Sequence, residues 1–154
     1  MAYSQPSNRS TGDVITAAIW NQDVVANMIA MTPHGFSAII DGGGAAITAG
    51  IKFDIYVPAR CSLVKVTQLA DTSGSIVTDL WKTTYSLFDN STHPVAADSI
   101  CSTSKPTIAS AHKSQDSTLL NWTVQWEEGD VVRVNVDSCT SITRETLAGN
   151  VSYN

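Results

Sequence analysis

Along residues 13–31, DVITAAIWNQDVVANMIAM, the apolar positions Trp20, Val24, Met28 and Met31 recur every three or four residues, with Val25 and Ile29 on the adjoining stripe. Side chains at that spacing share one face of a helix, so the pattern predicts a helix with an apolar stripe. Thr16 is placed to cap its first turn, Ala17 and Ala18 are strong helix formers, and Pro33 with Gly35 closes the segment. Such a stripe can cover the chain's own core or pack on a partner, and both outcomes stay open at this point. The residues before it, MAYSQPSNRSTG, have no period and are rich in Ser, Asn, Pro and Gly; they read as an arm that orders, if at all, on a neighbour.

From Phe36 the period shortens to two. In GIKFDIYVP, Ile51, Phe53, Ile55 and Val57 fall on one face and Lys52, Asp54 and Tyr56 on the other, the pattern of a half-buried strand that Pro58 ends. In VVRVNVD, Val132, Val134 and Val136 alternate with Arg133, Asn135 and Asp137. Further β-prone runs are expected at 36–40, 62–69, 75–83, 119–126 and 141–147, with a reversal at Ser73-Gly74-Ser75 and another at Glu128-Gly129-Asp130. Many short strands separated by turn residues predict an all-β chain, a single antiparallel β-sandwich of jelly-roll-like design. The expected organisation is an N-terminal arm and attachment helix over residues 1–35 and a sandwich over 36–154.

Between Phe88 and Gln115 the chain is polar, contains Pro94 and Pro106, and has Ile100 and Ile108 as its few apolar anchors. Connections beyond about 12–15 residues are uncommon unless functional. A crossover or an exposed contact loop is therefore expected, with Phe88, Asn90, His93, Pro94 and Ile100 as candidate contact residues.

Composition narrows the function classes. Only 15% of residues are charged, against about 25% in an average soluble domain, which gives a polar, weakly charged surface suited to lasting protein contact. The net charge is −5 and the nine Lys and Arg are scattered, so no basic stripe offers itself to a phosphate backbone and no direct nucleic-acid partner is expected. No run approaches the about 18 apolar residues of a membrane span and no signal-like core opens the chain, so no membrane partner is expected and synthesis in the cytoplasm is the default.

Candidate chemistry is sparse. His34, His93 and His112 sit apart in turn-like contexts without metal-ligand spacing, and Cys61, Cys101 and Cys139 form no C-x-x-C pair. Asp41-Gly42-Gly43-Gly44 lacks the Lys and Ser/Thr of a phosphate loop and reads as a turn between strands. Asp71, Asp79 and Asp89 do not follow calcium-loop spacing and read as solvated structural carboxylates. No catalytic residue, metal or cofactor is expected. Trp81, Trp122 and Trp126 lie in strand-like runs, Trp122 and Trp126 with shared parity; such residues are usually packed, and a sugar-stacking platform is the minority alternative.

Two stretches carry a resemblance. TGDVITAAIWNQDVVANM, residues 11–28, resembles the N-terminal attachment segments of tailed-bacteriophage virion proteins, where a G-D-x-I-T-A-x-x-W-N core precedes a short helix. From Ile39 onward, the blocks IIDGGGAAITAGIKFDIYVP, LADTSGSIVTDLWKTTY, ADSICSTSKPTIASAHKSQDSTLLNW and EEGDVVRVNVDS resemble, in order, a β-domain of small phage structural proteins. The resemblance implies a non-catalytic virion component, a homotrimer on the head surface that acts as a capsid decoration or cement protein. Its partner would be the major capsid protein, with Trp20, Val24, Met28 and Met31 as attachment residues. The alternative is a tail or baseplate fibre module that contacts a host receptor, attached instead to a tail or baseplate protein. A carbohydrate-binding module is the third reading.

Overall fold

The computed structural model describes residues 6, 8, 10–28, 34–88 and 93–153. The chain divides into two units, Met1–His34 and Gly35–Asn154.

The first unit holds α1 (Ala17–Trp20), in which Thr16 takes the extended backbone of an N-cap and its Oγ1 accepts from Ile19 N at 3.3 Å. The regular helix expected from the sequence is interrupted after Trp20 and resumes at residues 27–28. Residues Asn21–Ala26 wind as a wider π-turn, which closes i→i+5 rather than i→i+4 hydrogen bonds and rotates later side chains relative to earlier ones.

The second unit is antiparallel β throughout. Its strands are β1 (Gly35–Asp41), β2 (Gly50–Tyr56), β3 (Cys61–Thr84), β4 (Thr107–Asp116), β5 (Gln125–Trp126), β6 (Asp130–Thr140) and β7 (Arg144–Tyr153). They form one sheet in the order β1-β7-β3-β6-β2, with β4 and β5 also paired to β3. The all-β class holds, but two separate sheets are replaced by one sheet curled on itself. The expected reversal at Ser73-Gly74-Ser75 is absent, because residues 61–84 are one continuous strand.

That strand bends sharply. Gln68 and Thr78 are ten residues apart along β3, yet Gln68 Nε2 lies 2.9 Å from Thr78 Oγ1; a straight strand would separate them by about 33 Å. β6 and β7 together run antiparallel to nearly the whole of β3, from Thr84↔Asp130 to Ser75↔Thr140 and then from Ala70↔Glu145 to Cys61↔Tyr153. All the neighbouring strands turn at one line. Ser110 of β4 has φ 49° and donates its N–H to Ser75 Oγ at 3.0 Å, while Ser141, between β6 and β7, has φ 71°. Left-handed residues of this kind let the ladders turn without breaking.

Gly74 makes the bend possible. A Cβ there would stand 2.3 Å from the Thr140 carbonyl oxygen and 2.8 Å from Ile142 Cγ1, so any side chain forces the two ribbons apart. Gly74→Ala is expected to lose about 1–3 kcal/mol, as overpacking typically does. Urea unfolding beside a Ser73→Ala control measures it, and an unchanged midpoint would mean that the corner has slack.

The bend brings one face of β3 inward: Val66, Gln68, Ile76, Thr78 and Leu80 are buried and share parity. They close on Ile40, Leu147 and Val151 from β1 and β7 and on Val132, Val134 and Val136 from β6, in a single core. β6 is buried on both faces from Asp130 to Val136, because further chain covers its outer side. The one-turn helix α2 (Tyr85–Phe88) sets Phe88 over the Arg133 guanidinium, 5.2 Å from the ring centroid.

Two expected elements differ. Residues 107–116, read as part of a long loop, are strand β4. Residues 119–126, read as a strand, are mostly a turn: Asp116 Oδ1 accepts from Thr118 N and Leu119 N, and Leu119 and Asn121 have φ 48° and 64°. An aspartate that bonds to backbone N–H groups just ahead of it ends a strand by competing with the ladder. The turn at Glu127–Asp130 is tight as expected, closed by Asp130 N to Glu127 O at 3.1 Å, although its two arms pair with β3 rather than with each other.

Candidate functional site

On the N-terminal segment, Trp20 is 53% exposed, Met28 62% and Val25 41%, while Val24 is half-buried. Among the described residues, the hydrophobic core is drawn from the β unit. The apolar stripe thus exposes a large indole and a thioether, groups that give up much apolar surface when a partner covers them. Met31 lies outside the described residues.

The expected contact loop is only partly a surface. Phe88 is half-buried against His93, ring centroids 4.5 Å apart, and His93 is exposed. Pro94 and Ile100 are buried, Ile100 at 3% exposure. They are corrected from contact residues to anchors: Ile100 N donates to Leu80 O at 2.9 Å, and Ser99 bridges Trp81, so this stretch lines the edge of β3 instead of standing away from it. Asn90 lies outside the described residues. Among the described residues, the large apolar groups exposed in and just before this stretch include Tyr85, Leu87 and Val95, and Tyr85 meets Tyr56 edge-on at 6.4 Å. Tyr85, Ser86, Phe88 and His93 line a surface recess of 430 Å³.

The strand tryptophans do not form a platform. Trp81, Trp122 and Trp126 are 8%, 8% and 2% exposed, and Trp122 sits in the 117–122 turn with Nε1 donating to Ser104 O at 2.8 Å. Indole faces committed to a core cannot stack on a sugar ring. Beside Trp126, a second recess of 240 Å³ is lined by apolar groups that include Phe36, Ile55, Val57 and Val151.

Asp71 is exposed, as expected, but engaged in hydrogen bonds, whereas Asp79 is buried. Asp71 Oδ1 accepts from Thr143 N at 3.2 Å and from Arg144 N at 3.0 Å, and Oδ2 accepts from the Thr143 hydroxyl; these bonds favour the ionised form and hold its pKa down to about 2. Asp71 therefore staples the bend of β3 to the β6–β7 junction. Asp79 is 1% exposed, with Ser99 Oγ donating to Oδ1 at 2.6 Å and Lys105 Nζ 2.8 Å from Oδ2. Lys105 also reaches Asp137 at 2.6 Å, and the two carboxylates raise its pKa. Arg133 grips Asp54 through two bonds of 2.8 and 2.9 Å. Asp89 lies outside the described residues.

The Asp41 turn is an Asx turn: Asp41 Oδ1 accepts from Gly43 N at 2.7 Å. His34 is half-buried and His112 is exposed on β4 rather than in a loop. Cys61, Cys101 and Cys139 are free thiols whose pKa values burial pushes up, Cys101 most, so none is activated as a thiolate. Among the described residues, no three His, Cys, Asp or Glu come together as a metal-binding group, and no helix is long and apolar enough to cross a membrane. In comparison with known proteins, no family model matches the chain, and neither does any curated protein or solved structure.

Proposed function

We propose that this chain is a non-catalytic structural subunit of a tailed-phage virion, a trimeric capsid decoration protein that cements the head lattice, with residues 1–31 attached to the major capsid protein. The observation that carries the reading is the exposed apolar stripe on a unit separate from the β fold, Trp20 at 53% and Met28 at 62% exposure. It lies in the segment whose residues resemble virion attachment segments. Each trimer, bridging neighbouring capsomers, would resist outward pressure by adding contact area across their seams.

The test is particle binding. Trp20→Ala combined with Met28→Ala removes two side chains, each worth roughly 1.5–3 kcal/mol when fully buried on a partner. Occupancy on purified heads is expected to fall at least tenfold while the unfolding midpoint of the protein stays within about 0.5 kcal/mol. Unchanged occupancy rejects this attachment. Cryo-electron microscopy of the virion supplies the copy number, hundreds for a head cement against a handful for a tail component.

One observation favours the fibre alternative: the recess of Tyr85, Phe88 and His93 with exposed Leu87 nearby is an aromatic surface fit for a receptor. Localisation of the chain to the tail would select it.

A further inference from the structure

Inside the bend of β3, three polar side chains meet away from water: Gln68 at 1% exposure, Thr78 at 0% and Glu145 at 0%. Gln68 Nε2 uses both of its hydrogens, one on Thr78 Oγ1 at 2.9 Å and one on Glu145 Oε1 at 2.7 Å. Thr78 Oγ1 lies 3.5 Å from the same Glu145 oxygen. Two atoms of this cluster have no hydrogen-bond partner, Gln68 Oε1 and Glu145 Oε2. If Glu145 were ionised, both would be acceptors. Neither could satisfy the other, and each would carry the penalty of a buried, unpaired polar atom beside a buried charge. A single proton resolves both deficits.

We propose that Glu145 is carried protonated in the folded chain, its carboxylic O–H donating to Gln68 Oε1 while Gln68 Nε2 donates to Glu145 Oε1, and that this acid–amide pair, gripping Thr78, latches the folded-over sheet at its corner. Gln68 and Glu145 belong to the half formed by β7 and the start of β3, and Thr78 to the half formed by β6 and the end of β3. The cluster therefore joins the two halves across the interior.

The surroundings agree. Beside Glu145, β1 and the β1–β2 loop present the aliphatic Ile40 and Ile47. β6 presents the Cys139 thiol, on which the charges of Glu145 and of Lys52 from β2 act in opposite directions. From the β4 side, Lys105 and Asp116 line a 180 Å³ cavity that Gln68 borders. Burial is the largest influence on Glu145 and raises its pKa, opposed by the bonds from Gln68 and Thr78.

The sign follows. A carboxyl whose folded pKa is raised stabilises the fold fully below its unfolded value of about 4.3, and that contribution is lost as pH rises through the folded value. Asp71, on the same corner, works the other way: its contribution is present above its unfolded value of about 3.9 and is lost as pH falls through about 2. The corner is thus held by two carboxyls of opposite pH dependence, and the Glu145 contribution begins to be lost once pH passes its unfolded value.

The chain's glutamates are Glu127, Glu128 and Glu145, so ¹³Cδ labelling of glutamate in the full chain yields few enough signals to follow individually. Glu127 and Glu128 are exposed and serve as internal references. The signal lost in Glu145→Gln is expected to titrate above the ordinary glutamate value of about 4.3 and above the other two signals. All three titrating together in the ordinary range would overturn the proposal. In parallel, the folded-to-unfolded ratio of the wild type is expected to fall by up to tenfold per pH unit above that value until Glu145 ionises in both states. Glu145→Gln keeps both amide bonds and should remove this slope. Identical slopes in the two proteins would equally overturn the latch. Should Glu145→Gln not fold, the wild-type titration still decides, with Glu127→Gln and Glu128→Gln assigning the other signals.

Discussion

Trp126→Ala is expected to destabilise the β unit by about 3–5 kcal/mol, the usual result of emptying a large aromatic site in a core. Trp126 is 2% exposed and stacks on Phe36 with ring centroids 5.9 Å apart. It stands on the two-residue strand β5, held to β3 through Cys61↔Trp126, and its ring lines the recess beside β1 and β2. The variant therefore removes the packing that ties the first strand and the shortest strand to the longest. Trp126→Phe keeps a ring against Phe36 and deletes an indole N–H that has no partner, so it should lose far less, under about 1.5 kcal/mol. Urea unfolding of both variants checks the contrast through the shift in midpoint at constant slope. Equal losses would show that volume, not the aromatic stack, holds β5 in place.

Lys105→Met should have an effect of similar size by a different route. It strips the counter-charge from Asp79, which is almost wholly inaccessible and keeps the Ser99 hydroxyl. Breaking a buried pair on one side leaves a charge in a poor solvent and typically loses about 3–5 kcal/mol. Lys105 is itself 30% exposed, which places the expected loss near the lower end. Replacing both partners, Asp79→Asn with Lys105→Met, is expected to recover most of the stability at pH 7. A thermal or urea series on the two variants tests this, and a single variant within about 0.5 kcal/mol of wild type would mean that the pair is effectively solvated.

These two sites show why parts of the molecule were legible beforehand and others were not. The Thr16 cap, the alternation in 50–56 and 131–136, and the turn at Glu127–Asp130 are set by residues within a few positions of one another, so the pattern alone locates them. The strand at 107–116 escaped because it is polar along most of its length, and its burial is concentrated at Ile108; its ladder partner supplies what its own side chains do not. Ile100 was read as a contact residue because nothing near it in sequence says that Leu80 takes up its N–H. The Trp81, Trp122 and Trp126 positions were legible as apolar, but not as turned inward.

Of the two apolar faces, the N-terminal stripe was readable residue by residue from a helical period, although the π-turn that redistributes it was not. The carboxylates are the clearest contrast. Asp71 is the exposed residue that its sequence context suggests, but Asp79 and Glu145 are buried, and an acid between Arg144 and Thr146 looks solvated in the sequence.

By itself, the amino-acid sequence determined the secondary-structure class, the β-strand periods, the helix start and the absence of any local motif for metal or nucleotide, because each depends on side chains a few residues apart. Only the tertiary structure decided that residues 61–84 form one bent strand, that the sheet curls over on itself, and that Gln68, Thr78 and Glu145 share one buried site. The reason is separation along the chain: Gln68 and Glu145 are 77 residues apart, and whether a carboxyl meets water or an amide depends on which distant strand the fold lays beside it.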